Sequence, residues 1–121
     1  MNKALKSQNK HSEICPLDTT LEILAGKWKS IILCRLMNNN LHFNELNRSI
    51  HNCSKRMLAI QLKQLIEDDI VKKNVVVTDQ NQIMISYSLT DLGVSLVPII
   101  KKMDKWGAKY IKAEEKTYHN V

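Results

Sequence analysis

The sequence predicts a mainly α-helical domain carrying one small β-hairpin, and three observations predict it. Apolar residues recur at helical spacing over most of the 121 residues. The period changes once, from 3.6 to 2, across residues 71–89. Strong breakers are few, with three Gly and two Pro in the whole chain. This length suits one ordinary domain, and 44% apolar with 25% charged residues is a globular composition. No apolar run approaches the ~18 residues that a membrane span needs, so no membrane partner is expected. The opening MNKALKSQNKHSEI has no apolar block and reads as no secretory leader. The three cysteines, Cys15, Cys34 and Cys53, are then expected to be reduced thiols in a cytoplasmic setting. Eighteen Lys and Arg against twelve Asp and Glu give a net charge of +6, which favours a polyanionic partner.

Residues 1–14 hold Lys3, Lys6 and Lys10 with little apolar content, and read as an arm or as a helix that folds against a partner. A short helix follows, with Asp18 or Thr19 as N-cap and Leu21 and Leu24 on one face. Gly26 interrupts it. Residues 27–37 form the next helix, with Trp28, Ile31, Ile32 and Leu36 at helical spacing and Cys34 as a small core residue beside them. Phe43, Leu46 and Ile50 mark a helix of about two turns. After a break at His51, Asn52 and Cys53, Ser54 is placed to cap a helix over residues 55–68. Its stripe is Leu58, Leu62, Leu65 and Ile66, and its other face carries Lys55, Arg56, Lys63 and Gln64.

The two strands are residues 71–77 and 83–89, the second alternating Ile83, Ile85, Tyr87 and Leu89 with Met84, Ser86 and Ser88. Thr78, Asp79, Gln80, Asn81 and Gln82 make a polar tip with no Lys or Arg. The last helix opens at Thr90 or Asp91. It carries Leu92, Leu96, Ile99, Met103, Trp106 and Tyr110 at steps of 4, 3, 4, 3 and 4, a heptad seam. Pro98 bends it without erasing that seam. With Ile100 and Ile111 beside it, the stripe exceeds what so small a body covers and reads as a subunit interface; a wide core-facing stripe is the alternative.

A short helix, a tight turn and a second helix with a basic outer face make a helix-turn-helix, and the hairpin after it makes the wing of a winged helix. The domain reading is an arm or dimer-contact helix (1–14), a winged helix-turn-helix DNA-binding core (15–89) and a C-terminal dimerisation helix with its tail (90–121).

Five blocks in order resemble the HxlR-type winged helix-turn-helix regulators: CPLDTTLEILAGKWKSIIL, FNEL, SKRMLAIQLKQLIEDDIV, SYSLTDLG, and Trp106-Gly107. The likeness runs over about residues 15–110. It implies a bacterial or archaeal transcription factor that binds pseudo-palindromic operators as a homodimer, through its N- and C-terminal helices. Two departures stand out. The wing is longer and its tip lacks the Pro common in relatives. The recognition helix has Ala59 and Ile60 where many relatives are polar or basic, which points to apolar contact with a thymine methyl.

Ser54, Lys55 and Arg56 sit where side chains, backbone N–H groups and helix dipole all favour an anion. They are expected on phosphate, with Arg56 also within reach of a guanine edge. Ile60, Lys63 and Gln64 follow along the groove, with Gln61 near the same face. Lys72 and Lys73 at the base of the wing, and Gln80, Asn81 and Gln82 at its tip, complete the expected DNA contacts; solvated positions are the alternative for both lysines. Cys15 lies at a helix N-terminus, where a thiolate is stabilised. The resemblance adds that some members sense oxidants or electrophiles with the cysteine of this Cys-Pro start, and Cys53 is the candidate disulfide partner across the dimer.

The four dispersed histidines show no metal-ligand spacing, so no metal or other cofactor is expected. Paired catalytic carboxylates, a nucleophile motif and a Gly-rich phosphate loop are all missing, which argues against an enzyme. A cavity between the terminal helices and the body would suit a small aromatic effector, which the sequence does not name. A compact regulator of this kind is expected to repress. The rival reading is a winged-helix module that binds protein rather than DNA.

Overall fold

The computed structural model describes residues 14–119, with side chains as far as residue 115. The expected arm, apart from Ile14, therefore lies outside the described residues, as do Lys3, Lys6 and Lys10. Helix α1 is Pro16–Leu24 and starts earlier than the sequence suggests. Cys15, not Asp18 or Thr19, is the N-cap, because its carbonyl accepts the Thr19 N–H at 3.0 Å. Pro16, with its fixed φ, occupies the first helical position, and Asp18 sits in the first turn. Leu24 is buried, whereas Leu21 is exposed. Gly26 breaks the chain at φ +99, a conformation that side chains other than glycine's rarely adopt.

Helix α2 (Lys29–Leu36) is shorter than expected at both ends. Ile32, Leu33 and Leu36 fill the core, and Trp28 and Ile31 pack at its margin. Cys34 is exposed, contrary to the reading of it as a core residue, since it lies on the helix face opposite Ile32 and Leu36. Strand β1 is only Leu41–His42, too short to leave any periodic signal. Helix α3 (Phe43–Ser49) follows at once, with the His42 N–H donating to the Glu45 carboxylate at 2.9 Å.

Helix α4 (Lys55–Glu67) has the expected Ser54 cap, whose Oγ accepts the Met57 N–H at 3.0 Å. Leu58, Leu62 and Leu65 are buried, but Ile66 is exposed and does not belong to the stripe. The helix ends in a Schellman motif. The N–H groups of Asp69 and Ile70 donate to the carbonyls of Ile66 and Leu65, with Asp69 at φ +62 in the place usually taken by glycine.

Strands β2 (Val71–Val77) and β3 (Ile83–Leu89) pair antiparallel from Val71↔Leu89 to Val77↔Ile83. β1 joins the other edge through Leu41↔Tyr87 and His42↔Ser86, so the hairpin becomes a three-stranded sheet in the order β1-β3-β2. The clean half-buried alternation expected of β3 is not found. Only Ser88 and Leu89 at its base are buried, and Ile83 and Met84 are exposed on opposite faces because the outer hairpin has nothing beneath it.

Thr90 caps α5 (Asp91–His119), its Oγ1 accepting the Gly93 N–H and donating to the Asp69 carbonyl. The 29-residue helix is roughly 43 Å long. It crosses the body at Gly93, where any Cβ would run into the Ile70 carbonyl. The Gly93→Ala variant is expected to lose about 1–3 kcal/mol of stability to overpacking, read as a lower midpoint in urea denaturation.

Candidate nucleic-acid interface

The core holds α4 by one face, and that decides which residues it offers outward. Lys55, Arg56, Ala59, Ile60 and Lys63 are exposed along the other face, with Gln61 and Gln64 at its flanks half-buried. Gln61 donates to the Met57 sulfur at 3.5 Å, so its amide is partly engaged within the helix. The side chains of Lys55, Arg56 and Lys63 have no hydrogen bond or ion pair among the described residues. At the N-terminus, Ser54 takes up two N–H groups, that of Met57 through its side chain and that of Leu58 through its carbonyl. The Lys55 and Arg56 N–H groups are left for an anion, and the first turn holds no acid to compete.

The turn that aims this helix is held by Asn52, at φ 62, and by the Asn47 amide donating to the Cys53 carbonyl at 2.8 Å. Asparagine tolerates that conformation better than most residues, which is why the break falls here.

On the wing, strand alternation separates the two lysines. Lys72 shares a face with Asn74, whose amide bonds the Ser88 hydroxyl at 3.0 Å, and Lys73 shares the other with exposed Val75 and Val77. Both lysines are exposed. The tip is closed by the Thr78 N–H donating to the Gln82 carbonyl, the Gln82 N–H donating to Thr78 Oγ1, and Asn81 at φ 60. Gln80, Asn81 and Gln82 are exposed there, and their side-chain amides have no hydrogen-bond partner among the described residues. The sequence pattern did not reveal how apolar the outer wing surface is: Val75, Val76, Val77, Ile83 and Met84 are all exposed.

Of the seam on α5, Leu92, Ile99, Met103, Trp106 and Tyr110 are exposed and Leu96 is half-buried against the body. The Trp106 and Tyr110 rings stack with centroids 5.4 Å apart. Ile100, expected beside the seam, is instead part of the chain's own core, while Ile111 is exposed. Ile14, Leu17 and Leu21 add further exposed apolar surface at α1.

Cys15 is exposed and Cys53 is buried, and burial pushes the Cys53 thiol above its usual range. Its Sγ–H points to the Ser54 carbonyl at 3.6 Å. Cys34 lines a cavity of about 550 Å³ between α2 and α5, walled by Leu24, Ile31, Ile50, Ile100 and Met103, with Arg35, His51 and Asp104 at its polar side. No helix among the described residues is long and apolar enough to cross a membrane.

The sequence profile of the HxlR-like helix-turn-helix family matches residues 23–115. YdeP of Bacillus subtilis, an HTH-type transcriptional regulator, is 40% identical over 98 residues, covering 81% of this chain and 75% of YdeP. The redox regulator HypR in its reduced form superposes with a TM-score of 0.77 at 33% identity, covering 84% of this chain and 99% of that one. The reduced form of the regulator YodB from B. subtilis superposes with a TM-score of 0.72 at 27% identity, covering 81% and 95%. A winged helix-turn-helix with its outward basic helix, matched over most of its length, belongs to the HxlR-like helix-turn-helix family of DNA-binding transcriptional regulators.

Proposed function

We propose that this regulator acts in the cytoplasm as a homodimeric repressor on pseudo-palindromic operators. The observation that carries the reading is the outer face of α4, exposed and cationic from Lys55 to Lys63 while its inner face is locked in the core. Two copies joined along α5, with residues 1–14 contributing, set two α4 helices about 34 Å apart in successive major grooves. Ser54, Lys55 and Arg56 fix the register on phosphate, Arg56 reads a base edge, and Ala59, Ile60, Lys63 and Gln64 line the groove. Lys72, Lys73 and the tip amides of Gln80, Asn81 and Gln82 touch the flanking backbone. Gel-shift selection from a randomised duplex pool tests this. Enrichment of a two-fold symmetric sequence supports it, and salt-independent or absent retention overturns it.

Cys15 is the proposed sensor. It is exposed at the N-cap of α1, and the structures resembling this chain include HypR in reduced and oxidised forms and YodB both reduced and diamide-treated. Diamide takes two electrons and two protons from two thiols, so treatment is expected to give a covalent dimer on non-reducing gels that Cys15→Ser abolishes. Cys53 is the candidate partner, but its burial means that the turn before α4 has to open for it to react; that opening would displace the DNA-reading helix. A wild-type chain that stays uncrosslinked and binds DNA equally with and without diamide overturns the switch.

A protein-binding module is the second reading, favoured by a wing that is apolar outside and bears only Asp79 as a charge at its tip. It predicts that the basic face of α4 is dispensable.

A further inference from the structure

Helix α5 carries a second basic surface, on the side away from its seam. At 3.6 residues per turn, Lys101, Lys102, Lys105, Lys109 and Lys112 fall within an arc of about 100°. All five are exposed. None of their side chains has an ion pair or hydrogen bond among the described residues. The acids of that stretch, Asp104, Glu114 and Glu115, lie outside the arc. The centre of the seam is about 130° round the helix, so covering the seam leaves the lysines facing solvent.

The lysines form a band along the helix axis. Lys101 to Lys112 extend over roughly 17 Å of helix axis. One strand of duplex DNA places a phosphate every ~3.4 Å, so the same length faces about five phosphates. Solvated lysines on a helix need no such alignment, whereas a linear polyanion does.

We infer that this lysine row is a second duplex-binding surface, distinct from α4, which lets a DNA-bound dimer hold a neighbouring DNA segment through its phosphates. An anionic membrane would meet the same charges. A surface-lying membrane helix, however, also has to insert its apolar face. Here that face is the seam, which the proposed dimer covers. The inference rests on the dimer reading in that respect.

The test uses beads carrying a pool-selected duplex saturated with protein, to which a labelled 30-base-pair duplex of mixed sequence is added at 50 mM salt. Wild-type dimer is expected to retain the second duplex. Five phosphate contacts predict about a 500-fold fall in its affinity between 50 and 200 mM salt. The triple variant Lys101→Glu, Lys105→Glu, Lys109→Glu is expected to lose at least tenfold of that retention while its own capture on the beads is unchanged. Absence of the second duplex with wild-type protein, or equal retention by the variant, overturns the inference. So does binding to phosphatidylserine vesicles in a flotation assay without duplex retention. Should bead capture itself fail, the α4 reading falls separately. The Lys55→Ala/Arg56→Ala variant titrated directly with mixed-sequence duplex still reads the row, by binding that the three Glu substitutions remove or by no binding at all.

Discussion

Replacing Lys55 and Arg56 together by Ala is expected to weaken operator binding by about three decades at 150 mM salt. Two phosphate contacts per protomer make four per dimer, and each contributes about 0.9 to the slope of log affinity against log salt. The double variant should therefore show a slope shallower by about 3.6. Arg56 adds about 1–3 kcal/mol of discrimination per half-site if it reads a guanine, so the selected sequence should also become degenerate at one position in each half. Stability should hardly change, since both side chains are exposed, neither is paired among the described residues, and Ala is a good helix former. Salt-series gel shifts and urea melts of the same preparation separate the two effects. Undiminished affinity for the selected operator would overturn the assignment of the α4 face.

Met103→Ala combined with Trp106→Ala is expected to convert the protein to monomers. Trp106 is 66% exposed and Met103 47% in the single chain, so truncating them costs the fold little. In a dimer the pair is removed twice. At about 1.5–3 kcal/mol for each large apolar side chain, the four truncations forfeit roughly 6–12 kcal/mol. That is comparable with the entire free energy of a micromolar to nanomolar dimer, about 8–12 kcal/mol. Light scattering at micromolar concentration should report half the wild-type mass, with helical circular dichroism retained. Operator affinity should fall with it, because the second half-site is then no longer engaged at high effective concentration. An unchanged dimer mass would refute the seam.

The recognition unit was legible because its determinants are local. Ser54 caps α4 through its own Oγ, and the Leu58, Leu62 and Leu65 spacing states which face turns inward. Pro16 misled for an equally local reason: the first turn of a helix accepts proline, so the N-cap fell on Cys15 and not on a side chain with better capping chemistry. β1 left no pattern at all, since two residues carry no period and only the edge of β3 makes them a strand. The alternation along β3 was real, but it promised burial that only the base of the wing receives.

The sequence alone therefore determined the helices, the turn, the hairpin and the cationic face of α4, all set by contacts a few residues apart. What only the tertiary structure decided was which apolar or sulfur-bearing side chains are covered. Cys34 and Ile66 stand exposed, Cys53 and Ile100 lie in the core, and most of the seam is exposed in the single chain. Periodicity names a face of an element but not what packs against it, and for Ile100 that was decided by where the 29-residue helix α5 crosses α2 and the base of the sheet.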